Sequence, residues 1–262
     1  MTYFIHASYT SLLSNSADFI VSARRMLITP CRPLFVAFFA FLLVGMNNIG
    51  TAAEPDVIPK IDAVAAYDGQ MNEPVWQKAL VLTGFKLPWN LDETPTATEL
   101  RLFHNGKRLY FFYTVEEKSM LLTEPFTKEF DVASEDRIEI VLEAISPLKQ
   151  YYCCEMDYKG RVLDYCAQFF RNFDFTWTFP KLEFGGCKTA KGYNVEGSYD
   201  LDTLRQLEIL KSDNSFTAGF YRADFRKQPD GTVLELWYCR VKPKTAHPEY
   251  HVPGMMQSFR LQ

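Results

Sequence analysis

From residue 98 onward, apolar and polar side chains alternate with a period of two in run after run, a pattern that builds strands rather than helices. The clearest run is Arg137 to Glu143. Ile138, Ile140 and Leu142 fall on one side, and Arg137, Glu139, Val141 and Glu143 on the other. The expectation is a central strand whose isoleucine side seals a core while Arg137 and Glu139 stand together in water, addressing a polar ligand.

Other runs repeat the pattern. Thr98 to His104 and Arg108 to Val115 flank Asn105-Gly106, a strong hairpin signal, and the second of them is apolar on both faces. Tyr151 to Tyr158 and Arg161 to Gln168 flank Lys159-Gly160. A tight turn centred on that pair sets Glu155 opposite Asp164 and Cys153 opposite Cys166. Opposed carboxylates repel unless an arginine, a calcium ion or a hydroxyl-rich ligand lies between them. A one-residue slip reverses every face and leaves both solvated.

Ile61 to Tyr67 reads as a first strand ending at Asp68-Gly69, followed by a helical turn over Asn72 to Ala79 whose Trp76 plugs the core end. Residues 116–134 are a long polar loop, and Phe173 to Phe184 an aromatic-rich irregular connection or short strand. Gly192 to Tyr199 is a strand, and Asp202 to Leu207 a short helix capped by Asp200 or Asp202. Ser215 to Asp224 and Val233 to Tyr238 form a hairpin around Pro229-Asp230-Gly231, and Phe259 to Leu261 is a last strand. About nine or ten short strands with regular turn signals and one or two short helices predict an all-β fold, an antiparallel β-sandwich of immunoglobulin-like or jelly-roll-like kind.

Length adds a domain division. The 262 residues suit one moderate domain plus an export segment. Arg24, Arg25 and Arg32 precede an uncharged run of 13 residues from Leu34 to Met46, and Thr51-Ala52-Ala53 offers small residues for a signal peptidase. Such a run is short for a bilayer span. Residues 1–53 are therefore expected to be an export signal region, cut after Ala53, with Met26 an alternative start. An uncleaved membrane anchor is the other reading. Cys31 lies before the apolar run, so no lipoprotein cysteine is evident. Residues 54–262 form the sandwich, in a protein expected in the periplasm or outside the cell without stable membrane insertion.

Composition and charge remove other classes. With 47% hydrophobic and 15% aromatic residues the chain is too apolar for disorder. A net charge of −4 and the lack of a basic patch exclude nucleic acid as a partner. His247 and His251 are spaced as zinc ligands on a helix, which Pro248 and Pro253 forbid. Arg222 and Asp224 share one strand face and read as a structural ion pair.

The series DGQMNEPVWQKA, NGKRLYFFY, SEDRIEIVLE, GYNVEGSY, GFYRADF and HVPGMMQSFRLQ, in that order, resembles the family 9 carbohydrate-binding modules and their family 9-like relatives over residues 61–262. The resemblance implies a sandwich that holds sugar, often a chain end, on one sheet, calcium in a mainly structural role, and attachment to xylan-degrading enzymes; here separate glycoside hydrolases are the expected partners. By position, Glu139 matches the carboxylate that accepts sugar hydroxyls and Asp136 the aspartate that opens the motif, a candidate metal ligand. The sequence departs from the pattern in three places: Ala133 and the segment Thr245 to Pro248 stand where tryptophans are expected, and Glu155 where an arginine is expected.

The candidate sugar-binding residues are Arg137, Glu139, Glu155, Asp157 and Trp177, with Trp89 or Tyr250 as further aromatic faces. The function expected is that of an exported, non-catalytic protein recognising a plant- or algal-type polysaccharide or its oligosaccharide ends. Two other readings stay open. One is glycoside cleavage by Glu139 and Glu155, which would need the two carboxylates on neighbouring strands; no catalytic motif flanks them. The other is a sandwich that serves protein interaction. Five cysteines follow Ala53, and the hairpin register nominates a Cys153–Cys166 disulfide.

Overall fold

The computed structural model describes residues 54–145 and 150–262. The expected export signal, the Met26 start and the cut after Ala53 lie outside them. Among the described residues no helix is long and apolar enough to cross a membrane.

Among the described residues thirteen strands form two sheets: β1 (Asp56–Ile58), β2 (Leu80–Leu82), β3 (Thr98–His104), β4 (Arg108–Glu116), β5 (Arg137–Glu143), β6 (Tyr151–Met156), β7 (Val162–Gln168), β8 (Asn172–Asp174), β9 (Glu183–Lys188), β10 (Gly192–Asp200), β11 (Ser215–Lys227), β12 (Val233–Cys239) and β13 (Gln257–Leu261). The larger sheet has eight strands in the order β1-β13-β11-β5-β6-β7-β8, with β12 beside the second half of β11. The smaller has five, β2-β3-β4-β10-β9. Pairing is antiparallel except between β1 and β13. One short helix, α1 (Leu201–Gln206), starts where the Asp200 carboxylate accepts the Thr203 N–H at 2.8 Å. The all-β sandwich is as expected.

The core between the sheets is built by the alternation itself. Ile138, Ile140 and Leu142 meet Tyr152, Cys154 and Met156 on one sheet, and Leu102, Phe111, Tyr113 and Val195 on the other. At one end of this core Arg222 is fully buried, bonded to Glu117 at 2.5 Å and to the Thr96 and Thr98 hydroxyls at 2.8 and 3.0 Å. Asp224 lies beside it at 3.4 Å, as the one-face reading required.

Three expectations are corrected by the backbone. Ile61 to Tyr67 is not a strand; the first strand is Asp56–Ile58, laid parallel along β13. The β6–β7 hairpin is slipped by one residue. Asp157 and Arg161 close a turn of three residues, with Gly160 at φ +80°, so Glu155 faces Leu163, Cys153 faces Tyr165 and Cys154 faces Asp164. The slip puts Cys153 and Cys166 on opposite faces, and both are free thiols.

The third correction concerns the outer face of the larger sheet. It is not open water: Val141, Tyr151, Cys153, Leu163 and Tyr165 form a second apolar layer there with Val132, Tyr250 and Met255. The cover comes from a 3-10 turn at Glu129–Ser134 and from the loop between β12 and β13. Tyr221 stacks on Tyr250 with ring centroids 3.8 Å apart, and their phenols donate to the Met255 and Tyr238 carbonyls. Arg137 and Glu139 are therefore only 3% and 2% exposed.

Candidate functional site

The cover is incomplete. Over β5, β6, β7 and β12 it leaves a cleft of about 290 Å³ whose floor carries Arg137, Glu139, Glu155, Leu163, Tyr165 and Trp237. One wall is Phe130 and Ala133 of the 3-10 turn, another is Arg171, Phe173 and Phe175, and a third is Pro248 to His251.

The floor is positioned by strand register. Glu139 and Glu155 are direct cross-strand partners, so both side chains leave the sheet on the same face. Arg137 precedes Glu139 by two residues and shares that face. Its Nε donates to Glu155 Oε2 at 2.5 Å and its Nη1 to the Glu135 carbonyl at 3.0 Å. The guanidinium also lies over the Phe225 and Trp237 rings, 5.3 and 5.4 Å from their centroids. Tyr165 donates its phenol to Glu155 Oε1 at 3.3 Å, and the Cys153 thiol donates to Glu139 Oε1 at 3.5 Å. Burial first, and the neighbouring Glu155 second, push the Glu139 carboxyl up to about 8.

At the rim, Arg171 reaches across to Glu249 with contacts of 3.0 and 3.2 Å, and Glu249 also accepts the His251 N–H at 2.8 Å. Burial and the Arg171 charge hold the His251 imidazole down to about 3, so it is neutral. Phe130 and Phe175 meet edge to face at 5.4 Å and remain 50% and 43% exposed, presenting apolar faces at the opening. Ion-paired polar groups below and aromatic surface at the mouth suit a ligand with hydroxyl edges and C–H faces.

The placement of each candidate can now be given. Arg137, Glu139, Glu155 and Tyr250 come together. Asp157 does not: it caps the β6–β7 turn, accepting the Lys159 and Arg161 N–H groups at 2.8 and 3.0 Å and pairing with the Arg161 side chain. Trp177 packs on Tyr152 and Phe179 at the edge of the inter-sheet core. Trp89 stands behind Tyr250, its indole N–H bonded to the Thr245 carbonyl.

Asp136 is a backbone clamp. Its two oxygens accept the Phe225 and Leu121 N–H groups at 2.6 and 2.8 Å, whereas calcium requires six to eight oxygen ligands. Among the described residues one group, Glu139, Cys153 and Glu155, brings three ligand-type atoms within 4.8 Å. Arg137 already supplies the cation there, and burial keeps the Cys153 thiol protonated, so the group suits a guanidinium rather than a metal.

Tyr165, Trp237, Phe130, Phe173, Phe175, Arg171 and Glu249 escaped sequence reasoning. The slipped register hid Tyr165. The stretch Phe169 to Phe175 carries four phenylalanines with no strand periodicity to aim them. Ala133, standing where the family pattern has a tryptophan, does line the cleft, and aromatic surface comes from these other residues instead.

The family model described as carbohydrate family 9 binding domain-like matches residues 67–245. A protein from Bacteroides uniformis, described as a candidate carbohydrate-binding protein, has a similar structure with a TM-score of 0.57 at 12% identity, over 80% of this chain and 100% of that one. A family 9 carbohydrate-binding module from Caldicellulosiruptor kristjanssonii, solved in complex with cellotriose, gives a TM-score of 0.55 at 12% identity, over 80% of this chain and 94% of that one. At such identity the likeness is one of fold. No curated protein matches the chain.

Proposed function

The chain belongs to the carbohydrate family 9 binding domain-like family, and we propose that it is an exported, non-catalytic carbohydrate-binding protein. Its ligand is a plant- or algal-type polysaccharide, or an end of its oligosaccharides, held in the cleft above Arg137, Glu139 and Glu155. The observation that carries this reading is the cleft itself: a buried Arg137–Glu155 pair and a neighbouring carboxyl on the floor, under a mouth of exposed phenylalanines.

Sugar rings suit such a place. Their hydroxyls exchange hydrogen bonds with fixed carboxyl and guanidinium groups, and their C–H faces cover aromatic rings. The floor groups are locked by strand pairing and by one another, so little ordering is required on binding. The apolar run before Ala53 supports export.

A glycosidase would also place two carboxyl groups about 5–5.5 Å apart in its retaining form. One titration separates the two. Adding cello- and xylo-oligosaccharides and their polymers to residues 54–262 in a calorimeter, with reducing sugar assayed afterwards, is expected to give heat and no new reducing ends. Released sugar would establish an enzyme, and silence across the panel would remove the sugar reading.

A further inference from the structure

The cleft floor has two carboxyl groups and one guanidinium to face them. Glu139 and Glu155 oppose each other across β5 and β6, where like charges destabilise pairing. Arg137 is committed: its Nε holds Glu155 at 2.5 Å and its Nη1 holds a main-chain carbonyl. Glu155 thus has the ion pair, and Glu139 has the weak thiol donor of Cys153.

We propose that the floor recognises a pair of adjacent sugar hydroxyls with two unlike carboxyl groups, Glu139 as a neutral acid that donates a hydrogen bond and Glu155 as a carboxylate that accepts one. The proposal rests on the sugar-binding reading above and adds the chemistry of recognition to it. An ionised Glu139 would be an uncompensated charge in a site that is almost wholly buried, which is costly.

No neighbour changes that balance. On its own strand Glu139 has Arg137; from β6 it meets Glu155 and the Cys153 thiol, from β7 the Tyr165 phenol, from β11 the Tyr221 phenol, and from β4 of the facing sheet the Tyr113 phenol, also held protonated by burial. From the covering loop come the Tyr250 phenol and Glu249, whose charge Arg171 already engages. The phenols and thiol are all held protonated by burial. The upward shift of the Glu139 carboxyl to about 8 agrees with this count.

A protonated carboxyl both donates and accepts, whereas a carboxylate only accepts. One hydroxyl of a vicinal pair can then donate to Glu155 while its neighbour receives the Glu139 proton. A site built this way rejects sugars lacking either hydroxyl, because a buried polar group would be left without its partner.

The experiment uses xylotriose and cellotriose on wild type, Glu139→Ala and Glu139→Gln. Wild-type affinity is expected to be level from pH 5 to 7 and to fall at least tenfold by pH 9. Glu139→Ala should lose tenfold or more at pH 6, and Glu139→Gln, which keeps an N–H donor, should restore most of that loss and abolish the fall above pH 8. Carbon-13 labelling of glutamate carboxyls in the wild-type protein should show, beside the partly protonated Glu135 and Glu196, a neutral carboxyl at pH 7 that is absent from Glu139→Gln. Sugar binding by a wild-type protein whose Glu139 is ionised at pH 6, or a glutamine variant as weak as the alanine one, overturns this proposal alone. A wild type that binds neither sugar overturns the parent reading with it.

Discussion

Arg137 and Glu155 form an ion pair of 2.5 Å that is almost completely buried, and the second carboxyl of the floor, Glu139, stands directly across the sheet from Glu155. Removing the guanidinium strands a buried charge. Arg137→Met is expected to lower stability by about 3–5 kcal/mol at pH 7, the usual cost of breaking a buried pair from one side. Urea unfolding measures it.

The cover over the floor depends on a close approach. A Cβ at Gly219 would lie 2.1 Å from the Tyr221 hydroxyl oxygen, and Tyr221 is the ring on which Tyr250 stacks. Gly219→Ala is expected to displace Tyr221 and with it Tyr250. A destabilisation of about 1–3 kcal/mol follows from overpacking. Thermal unfolding gives the loss, and a drop in sugar affinity in the same variant would show that the cleft wall has moved.

Several carboxyls give stability a definite pH trend. Burial raises Glu139 to about 8, and Glu135, Asp136 and Glu196 to about 7, against about 4 in the unfolded chain. Between these limits the folded protein binds more protons than the unfolded one. Their contribution is full only below about pH 4, the unfolded value, and is lost progressively as pH rises from there through 7 to 8. His251, held down to about 3 by burial, works the other way as pH falls below about 6.5. With six raised carboxyls, Glu117 and Asp164 included, against two lowered histidines, His104 included, the urea midpoint should be higher at pH 5.5 than at pH 8, and Glu139→Gln should lessen the drop. A midpoint that rises over that interval would contradict the assignment.

The cysteines give a chemical check on register. Cys153, Cys154 and Cys239 are buried and Cys166 and Cys187 partly exposed, all free. Native alkylation is expected to label Cys166 and Cys187 first. Peptide mapping without reductant should find no Cys153–Cys166 crosslink.

Much of this fold was legible in the chain. Asn105-Gly106 between two alternating runs fixed the β3–β4 hairpin, and the Ile138, Ile140 and Leu142 side of β5 was assigned correctly because it meets a second sheet. Strands β1 and β2 have three residues each, too few for a period to show, and β9 carries Gly185-Gly186 in its middle. The outer face was misjudged for a different reason. Alternation says which residues share a face and cannot say what covers it. The clue lay in Val141, Tyr151, Leu163 and Tyr165, whose apolar side chains would not have been left in water on three neighbouring strands. The Lys159-Gly160 turn misled by one residue, and that slip alone moved Tyr165 into the cleft and removed Asp164 from it.

The central claim is that sugar sits in the cleft between the Arg137–Glu155 pair and the phenylalanines at its mouth. Phe175 is the place to probe, since it is 43% exposed and its loss should leave the core intact. Calorimetric titration of xylotriose and cellotriose into wild type and Phe175→Ala measures it. The expected result is binding by wild type and a loss of about 1–2 kcal/mol, roughly 5- to 30-fold, in the variant. Equal affinity in the two proteins would place the sugar elsewhere and contradict the account.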